Sequence, residues 1–298
     1  MLVHSSAAHD KAYLTSSSRM PNWTPLLRRH SDGRPRIMGV INCTPDSFHE
    51  DSRTESLEHS LELVEKMIDE GADWIDVGGE STRPGAKEIS IEEELQRVIP
   101  VIEQIKNKYP NQAISIDTRR TAVAKKALDA GAVMINDVSG LRDPGMKDLV
   151  INSGCGICIM HMKGEPGTMQ NSPMYENVVE EVNEILLKNA RELVNKGHPI
   201  DRICLDPGIG FGKTLEHNLD LLRNAHSLKS KENFAILWGV SRKSMFKDLL
   251  GRFETNNRLA GTLGVAAFAQ ISGIDILRVH DVAEHVDVGK TLSKLGGF

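Results

Sequence analysis

A short apolar segment that ends at an acidic residue is the first feature of the sequence that could do chemistry. Residues 203–206, Ile-Cys-Leu-Asp, lead directly into a proline and a glycine-rich loop at 207–214. The apolar run predicts a buried strand, and Pro207 cannot donate a hydrogen bond to continue it. We therefore expect Asp206 at the carboxyl end of this strand, where the glycines of the loop allow the backbone to approach a bound ligand closely.

The end of this loop is similar to a phosphate-binding P-loop, because it reads Gly212-Lys213-Thr214. A P-loop requires four residues between its first glycine and the Gly-Lys pair, whereas three separate Gly208 from Gly212. The spacing therefore argues against a nucleotide-binding module built on this loop.

Apolar segments of strand length recur along the chain, and helical patterns separate them. The predicted strands are 36–42, 74–77, 113–117, 133–137, 156–161, 203–206, 234–240 and 274–279. The predicted helices are 54–70, 91–107, 121–130, 146–152, 176–196, 218–225, 258–271 and a last one from 283. Eight strands alternating with helices indicate parallel βαβ units. Their number and the length of 298 residues favour an α/β fold, a single-domain (β/α)8 TIM barrel, over an open doubly wound sheet.

The composition limits the class of protein. With 40% hydrophobic and 26% charged residues, the chain can form a sizeable core, and its net charge of -5 argues against a general nucleic-acid binder. No stretch approaches the ~20 apolar residues of a membrane span, so we expect a cytoplasmic protein that does not bind membranes. Residues 1–34 lack the apolar core of a secretory signal. We assign them to a loose N-terminal extension and residues 35–298 to the catalytic barrel.

The four cysteines, Cys43, Cys155, Cys158 and Cys204, all lie in apolar contexts, which is typical of a reducing compartment. Cys155 and Cys158 have the spacing of a redox or zinc motif. On a strand, however, residues three apart point to opposite faces, and no second pair completes a metal site. We expect all four to be thiols.

Polar side chains follow nearly every predicted strand, at the end of a barrel where ligands bind. One group consists of short carboxylate and amide side chains: Asp117, Asn136 and Asp206. Such groups suit a flat heterocycle with an amidine-like edge. The other group suits an anion: Asn42, Arg278, His280 and the run Ser241-Arg-Lys-Ser244. The two groups together predict a ligand with a pterin-like or purine-like ring and an anionic tail.

Each of these residues also has a purely structural interpretation. A single aspartate such as Asp117 or Asp206 more often hydrogen-bonds a loop amide or the start of a helix. Lys243 alone would be a solvated charge that contributes little, and Met160 and Phe211 alone would be core residues. Their common position at the ends of successive strands favours a shared site.

Eight stretches of the chain, in order from Met38 to Asp281, resemble the dihydropteroate synthase family. They are 38–48 (MGVINCTPDSF), 76–85 (DVGGESTRPG), 116–118 (IDT), 135–138 (INDV), 160–164 (MHMKG), 205–213 (LDPGIGFGK), 239–244 (GVSRKS) and 278–281 (RVHD). Each motif alone is moderately specific, but eight in the family's order are very specific. This chain departs from the family's pattern at His49-Glu-Asp-Ser52 and in the basic pair Arg119-Arg120.

The resemblance implies a transferase of folate biosynthesis that joins 6-hydroxymethyl-7,8-dihydropterin diphosphate to 4-aminobenzoate and releases diphosphate with Mg2+ present. It implies that the pterin is held by Asp117, Asn136, Asp206 and Lys243, with Met160 lining the pocket. It implies that the diphosphate is held by Arg278 and His280, with Asn42 as the magnesium ligand. It implies that the aminobenzoate site is formed by Thr82, Arg83, Pro84, Phe211 and Ser241. The catalytic residues would be Asp117, Asp206, Lys243 and Arg278.

The implied chemistry suits these residue types. Loss of diphosphate leaves positive charge spread over the pterin, which fixed carboxylates stabilise, while cations stabilise the departing anion. The arylamine nucleophile is neutral, so no strong general base is required. The family also implies a homodimer formed through late helices, inhibition by sulfonamides, and mobile loops at Phe48 and Arg83. A pterin-dependent methyltransferase on the same barrel is the alternative, although it has no diphosphate to hold.

Overall fold

Eight parallel strands close into a barrel in which each strand bonds to the next and the last bonds to the first. This computed structural model describes residues 26–43, 53–81, 88–165, 167–170, 172–229 and 232–296. The strands are β1 Arg36–Asn42, β2 Trp74–Gly78, β3 Ala113–Asp117, β4 Met134–Asp137, β5 Gly156–Met160, β6 Ile203–Asp206, β7 Ala235–Trp238 and β8 Ile276–Val279. The closed barrel confirms the predicted (β/α)8 fold, and the open-sheet alternative is wrong.

Helices alternate with these strands and cover the outside of the barrel. They are α1 Arg53–Asp69, α2 Ile91–Lys108, α3 Thr121–Ala130, α4 Met146–Ser153, α5 Val178–Asn195, α6 Leu215–Arg223, α7 Ala225–Lys229, α8 Met245–Leu250, α9 Leu259–Ile271 and α10 Val282–Leu295. The sequence did not predict α8 separately, because six residues are too few to show a helical period. None of the described helices is both long and apolar enough to cross a membrane.

The strand register brings the predicted polar residues to one rim of the barrel. Asp117 lies beside Gly78 on one side and Asn136 on the other. Met160 lies beside Asp206 in the same way. Because parallel strands share one direction, these residues meet at the carboxyl end of the barrel.

Apolar side chains fill the interior of the barrel below that rim. Buried residues of this inner layer include Met38, Trp74, Met134, Cys204 and Leu237. A second and larger core lies between the strands and the surrounding helices. The packed interior leaves the carboxyl rim as the place for a ligand.

The described end of the N-terminal segment packs against the opposite, amino-terminal end of the barrel. Leu27 is 1% exposed and joins the inner layer, and Trp74 Nε1 donates to the carbonyl of Leu26 at 2.9 Å. Arg28 donates to the carbonyl of Phe234 at 3.0 Å and lies 3.6 Å from Asp275. Residues 26–34, which the sequence analysis assigns to the extension, therefore close the base of the barrel. Residues 1–25 lie outside the described part of the chain.

Candidate functional site

A buried polar cluster at the carboxyl rim connects strands β2, β3, β4 and β8. Arg278 Nε donates to Asp76 Oδ2 at 2.5 Å, and Arg278 Nη2 donates to Asp117 Oδ2. Asn136 Nδ2 donates to the same Asp76 oxygen at 3.1 Å, and Ser115 donates to the other. The structure thus brings together three residues that the sequence predicted for the site, Asp117, Asn136 and Arg278.

Asp76, like Ser115, was not predicted from the sequence to belong to this cluster. Its side chain is fully buried at 0% exposure and accepts hydrogen bonds from three neighbours. The sequence does contain a signal for a buried polar contact here, because an acid occupies the middle of the apolar strand Trp-Ile-Asp-Val-Gly. A carboxylate inside such a strand requires charged or polar partners.

The electrostatics of this cluster are set by burial. Burial raises the pKa of Asp117 to about 7; Arg278 opposes this effect, and the carboxylates of Asp76 and Glu94 add to it. Burial alone would lower the pKa of Arg278, but Asp76 and Asp117 raise it overall. Arg278 is therefore a permanent cation, whereas Asp117 changes charge near neutral pH.

Asp206 faces the same space from β6. It is 5% exposed, and its Oδ1 accepts the backbone N–H of Gly208 at 2.7 Å. Burial raises the pKa of Asp206, against the effects of the Gly208 N–H and Lys243. A Cβ atom at Gly239 would lie 3.7 Å from Asp206 Oδ2, so glycine keeps this side of the carboxylate open.

The glycines of the loop after β6 approach a neighbouring loop rather than only a ligand. Gly208 has φ +69°, and a Cβ atom there would lie 1.9 Å from the carbonyl oxygen of His161. Gly212 has φ +61°, and its Cβ would lie 2.4 Å from the carbonyl oxygen of Lys163. Larger residues would force the loops after β5 and β6 apart.

An apolar wall lies beside the acidic groups. Met160 is buried against Val138, Met162 and Met169, and Phe211 packs on the edge of this cluster. Lys243 Nζ lies 3.9 Å from the centre of the Phe211 ring. A cavity of about 300 Å3 adjoins the loop that carries Phe211, but its lining includes Gly210, Asn218 and Ser244 rather than Met160 or the acids of the rim. A flat ring could therefore contact apolar atoms on its face and acids on its edge.

Ser241 and His280 form a pair between the ends of β7 and β8. Ser241 Oγ accepts the backbone N–H of His280 at 3.2 Å and lies 3.0 Å from His280 Nδ1. Burial lowers the pKa of His280 to about 4, and Arg278 and Arg242 add to this effect. His280 is therefore neutral at pH 7 and can offer a hydrogen bond, but not a positive charge, to an anion.

We expected the basic run 241–244 to face an anion, but its Arg242 binds an acidic side chain of the protein instead. Its Nε donates to Asp281 Oδ2 at 2.9 Å, and its backbone takes the positive φ of 56°. The N–H of Arg242 donates to Thr262 Oγ1 at 3.1 Å, and its carbonyl accepts from Arg258 at 3.0 Å. These bonds hold the Arg242 side chain on Asp281 and fix the backbone between Ser241 and Lys243.

Thr82, Arg83 and Pro84, predicted for the aminobenzoate site, lie outside the described residues, as does Phe48. The residues that flank positions 82–87 are held by the basic pair that departs from the family's pattern. Arg119 pairs with Glu80 at 2.8 Å and with Glu88 at 2.7 Å. Arg120 pairs with Glu80 at 3.0 Å and with Glu94, on α2, at 2.9 Å. The two arginines thus have a structural explanation.

Asn42 ends β1 beside Gly78 and is exposed. Its amide forms no hydrogen bond within the described ranges. Across those same ranges, no group of three or more His, Cys, Asp or Glu side chains could hold a metal ion. Asn42 could supply one oxygen to a magnesium ion whose other ligands come from a substrate and water, a pattern that Mg2+ prefers.

Comparisons with known proteins agree with this geometry. Residues 38–280 match the family described as pterin binding enzyme. The dihydropteroate synthase of Haemophilus influenzae is 42% identical over 256 residues, which cover 86% of this chain and 92% of that protein. A structure of Xanthomonas albilineans dihydropteroate synthase with 4-aminobenzoic acid has a TM-score of 0.82 and 39% identity, and the match covers 88% of this chain and 93% of that one. The Burkholderia cenocepacia dihydropteroate synthase complexed with 7,8-dihydropteroate has a TM-score of 0.79 and 41% identity, over 88% and 91%.

The pKa of Asp117 predicts how pterin binding depends on pH. Because burial raises this pKa to about 7, the Asp117 carboxylate, which we expect to accept ring N–H groups, is mostly absent at pH 6 and mostly present at pH 8. We expect the affinity for 6-hydroxymethylpterin to rise by roughly tenfold between these values, measured by isothermal titration calorimetry. Asp117→Asn should bind weakly with a flat profile. A flat profile in the unsubstituted protein, or an unchanged slope in the variant, would contradict this role.

Proposed function

This chain belongs to the pterin-binding enzyme family, and we infer that it acts as a dihydropteroate synthase of folate biosynthesis. It is a transferase that condenses 6-hydroxymethyl-7,8-dihydropterin diphosphate with 4-aminobenzoate to give 7,8-dihydropteroate and diphosphate. The observation that carries this inference is the convergence of Asp117, Asn136 and Arg278 in one cluster at the rim where Asp206 ends β6.

The carboxylates and the amide of the rim suit the edge of the pterin ring. In this proposal Asp206 accepts the ring N–H and amino groups through Oδ2, because Oδ1 is already occupied by Gly208. Asp117 and Asn136 bind other polar atoms of the ring. Met160 contacts its face, and Lys243 approaches from the loop after β7.

Arg278 suits the region between the ring and the leaving group. Its Nε and Nη2 are held by Asp76 and Asp117, whereas Nη1 forms no hydrogen bond to any residue the structure describes. We assign Nη1 to the diphosphate, together with His280. Since Ser241 Oγ accepts the His280 backbone N–H, its hydroxyl proton can go to Nδ1, which leaves the ring proton on Nε2 to donate.

The same residues stabilise the transition state. As the bond from the pterin CH2 to diphosphate breaks, positive charge spreads over the ring and is stabilised by Asp117 and Asp206. The departing oxygens gain negative charge beside Arg278 and His280. The neutral amine of 4-aminobenzoate attacks the CH2 group, and the proton it releases can pass to solvent, so we assign no general base.

We place 4-aminobenzoate beside Phe211 and Ser241, with Thr82, Arg83 and Pro84 completing its site. The contact between Lys243 and the Phe211 ring supports this placement, because it brings a predicted pterin residue and a predicted aminobenzoate residue together. A methyltransferase would use the same acids but would need no diphosphate site. We also propose that sulfonamides compete with 4-aminobenzoate here, which steady-state inhibition would test.

The four cysteines of the chain are all free and buried. Burial raises the pKa of the Cys43 thiol to about 12 and that of Cys155 to about 11, so neither is a reactive thiolate. Free thiols support our proposal of a cytoplasmic location, where the compartment keeps them reduced. Cell fractionation would test it.

Asp206→Ala and Lys243→Ala test the assignment of the pterin site. We expect the protein with Mg2+ and both substrates to release pyrophosphate, which a coupled phosphate assay measures. Asp206→Ala should abolish pterin binding, while Lys243→Ala should weaken it by ~1–3 kcal/mol, the usual effect of losing a hydrogen bond to a charged group. Asp201→Ala, an exposed aspartate before β6, is the control and should be neutral. Normal turnover in both site variants would refute the assignment.

We propose that magnesium is held by Asn42 together with the diphosphate, where it would neutralise charge on the leaving group. Removing the metal with EDTA should stop pyrophosphate release. Asn42→Ala should raise the Mg2+ concentration for half-maximal activity at least about tenfold, since losing even a partner of a metal ligand typically costs roughly 10–100-fold. The exposed helical residue Asn107 serves as the control. Activity that is independent of Mg2+, or unchanged in Asn42→Ala, would contradict this role.

We propose that the chain forms a homodimer through α8, α9 and the segment between them. Large apolar side chains are exposed there: Leu249 (44%), Leu250 (48%), Phe253 (68%), Phe268 (42%) and Ile271 (48%). Exposed apolar patches of this kind mark interfaces, and closed two-fold dimers are the commonest oligomers.

Light scattering coupled to gel filtration tests the dimer. We expect a mass of twice the 32.9 kDa of one chain, and a shift to monomer in Phe253→Glu, because the variant places a charge in the apolar interface. Ile200→Glu changes an exposed apolar residue elsewhere on the surface and should leave the dimer intact. A monomeric unsubstituted protein, or a Phe253→Glu variant that remains a dimer, would exclude this interface.

A further inference from the structure

Lys213 is a buried cation to which the proposed reaction gives no role. It ends the glycine-rich loop and is 3% exposed. Its Nζ lies 3.0 Å from His161 Nδ1, 3.0 Å from the carbonyl oxygen of Gly208 and 3.0 Å from that of Phe211. A fourth acceptor, the carbonyl oxygen of His161, lies at 3.3 Å. The ammonium group is therefore surrounded by acceptors on two loops.

The charge of Lys213 is not explained by an ion pair. In the part of the chain that the structure describes, Lys213 pairs with no carboxylate. Burial lowers its pKa to about 7; Asp206 opposes this effect, and Lys243 and Lys163 add to it. Burying such a cation is unfavourable unless its hydrogen bonds are needed. Its bonds go to an imidazole nitrogen and to backbone carbonyls.

Those carbonyls belong to a loop that has little conformational preference of its own. Gly208, Gly210 and Gly212 all have positive φ, and glycine visits many other conformations at little cost. Side-chain donors therefore hold the loop from outside: Gln170 bonds to the carbonyl of Gly210 at 2.6 Å, and Tyr175 bonds to that of Gly212 at 2.9 Å. Lys213 bonds to the carbonyls of Gly208 and Phe211, and the Gly208 carbonyl also accepts the backbone N–H of Phe211 at 3.1 Å.

Phe211 is the residue on this loop that the proposed function uses. Its ring lies against the cluster of Met160 and Met162 and under Lys243, with Nζ 3.9 Å from the ring centre. The bond from Lys213 to the Phe211 carbonyl fixes the backbone from which that ring projects. Asp206, by contrast, is held by β6 and by the Gly208 N–H.

We propose that Lys213 is a positioning residue for the aminobenzoate site: its ammonium group ties the loops after β5 and β6 together and so sets the place of the Phe211 ring. The identity of the substrate rests on the proposed function. The position of the loop does not, because it follows from the contacts of Lys213, together with those of Gln170 and Tyr175, whatever the ligand.

Steady-state kinetics of Lys213→Met test this role, because methionine keeps much of the length and removes every donor. We expect KM for 4-aminobenzoate to rise roughly tenfold, the scale of a lost hydrogen bond from a charged group. The affinity for the pterin diphosphate should change less than about threefold, since Asp206 keeps its own support. Lys126→Met, the removal of an exposed lysine from α3 far along the chain from this loop, is the matched control and should change neither value.

Hydrogen exchange without substrates separates this proposal from the proposed function. Amides 209–212 should exchange faster in Lys213→Met than in the unsubstituted protein, whatever reaction the protein catalyses, while the Gly208 amide stays protected by its bond to Asp206. Unchanged exchange and an unchanged KM for 4-aminobenzoate would overturn the proposal, as would an equal rise in both KM values. If Lys213→Met and the milder Lys213→Gln both fail to fold, Lys213 serves folding rather than positioning, and the proposal is equally overturned.

Discussion

The ion pairs between Arg278 and the carboxylates of Asp76 and Asp117 are the interaction on which the rest of the site depends. Asp76, Asp117 and Asp206 all lie buried or nearly so at one rim of the barrel, where like charges repel strongly. Arg278 offsets that repulsion and joins β8 to β2 and β3. Removing one partner of such a buried pair typically costs about 3–5 kcal/mol, because the other charge is left unpaired. The acids can therefore remain available to a ligand only while the arginine is in place.

The loops above this cluster are arranged around close backbone contacts. Glycine at 208 lets the loop after β6 approach the His161 carbonyl, where a side chain would collide with it. The positive φ of Arg242 and its ion pair with Asp281 likewise fix the backbone that follows β7 against the residues that follow β8. The strands of the barrel position the acids. The loop contacts position the side chains that we assign to 4-aminobenzoate.

Hydrophobic patterning predicted the fold well because the helices and strands of this barrel have strong local signals. The strands at 36–42 and 113–117 agree with the prediction at both ends, since a polar residue ends each apolar run. The partners within the site were harder to predict. Asp76 and Arg278 lie 202 residues apart, and only closure of the barrel brings them together. Arg242 and Lys243 are adjacent and chemically similar, but their different directions follow from a backbone angle that the sequence does not reveal.

We propose that acidic and amide groups at the barrel rim bind the edge of a pterin while Arg278 lies beside its leaving group. A crystal structure of the protein with bound 6-hydroxymethyl-7,8-dihydropterin diphosphate tests it most directly. The ring should hydrogen-bond to Asp117, Asn136 and Asp206, with the diphosphate within reach of Arg278. A ring bound elsewhere, or a rim occupied by the diphosphate with the ring in solvent, would contradict these roles.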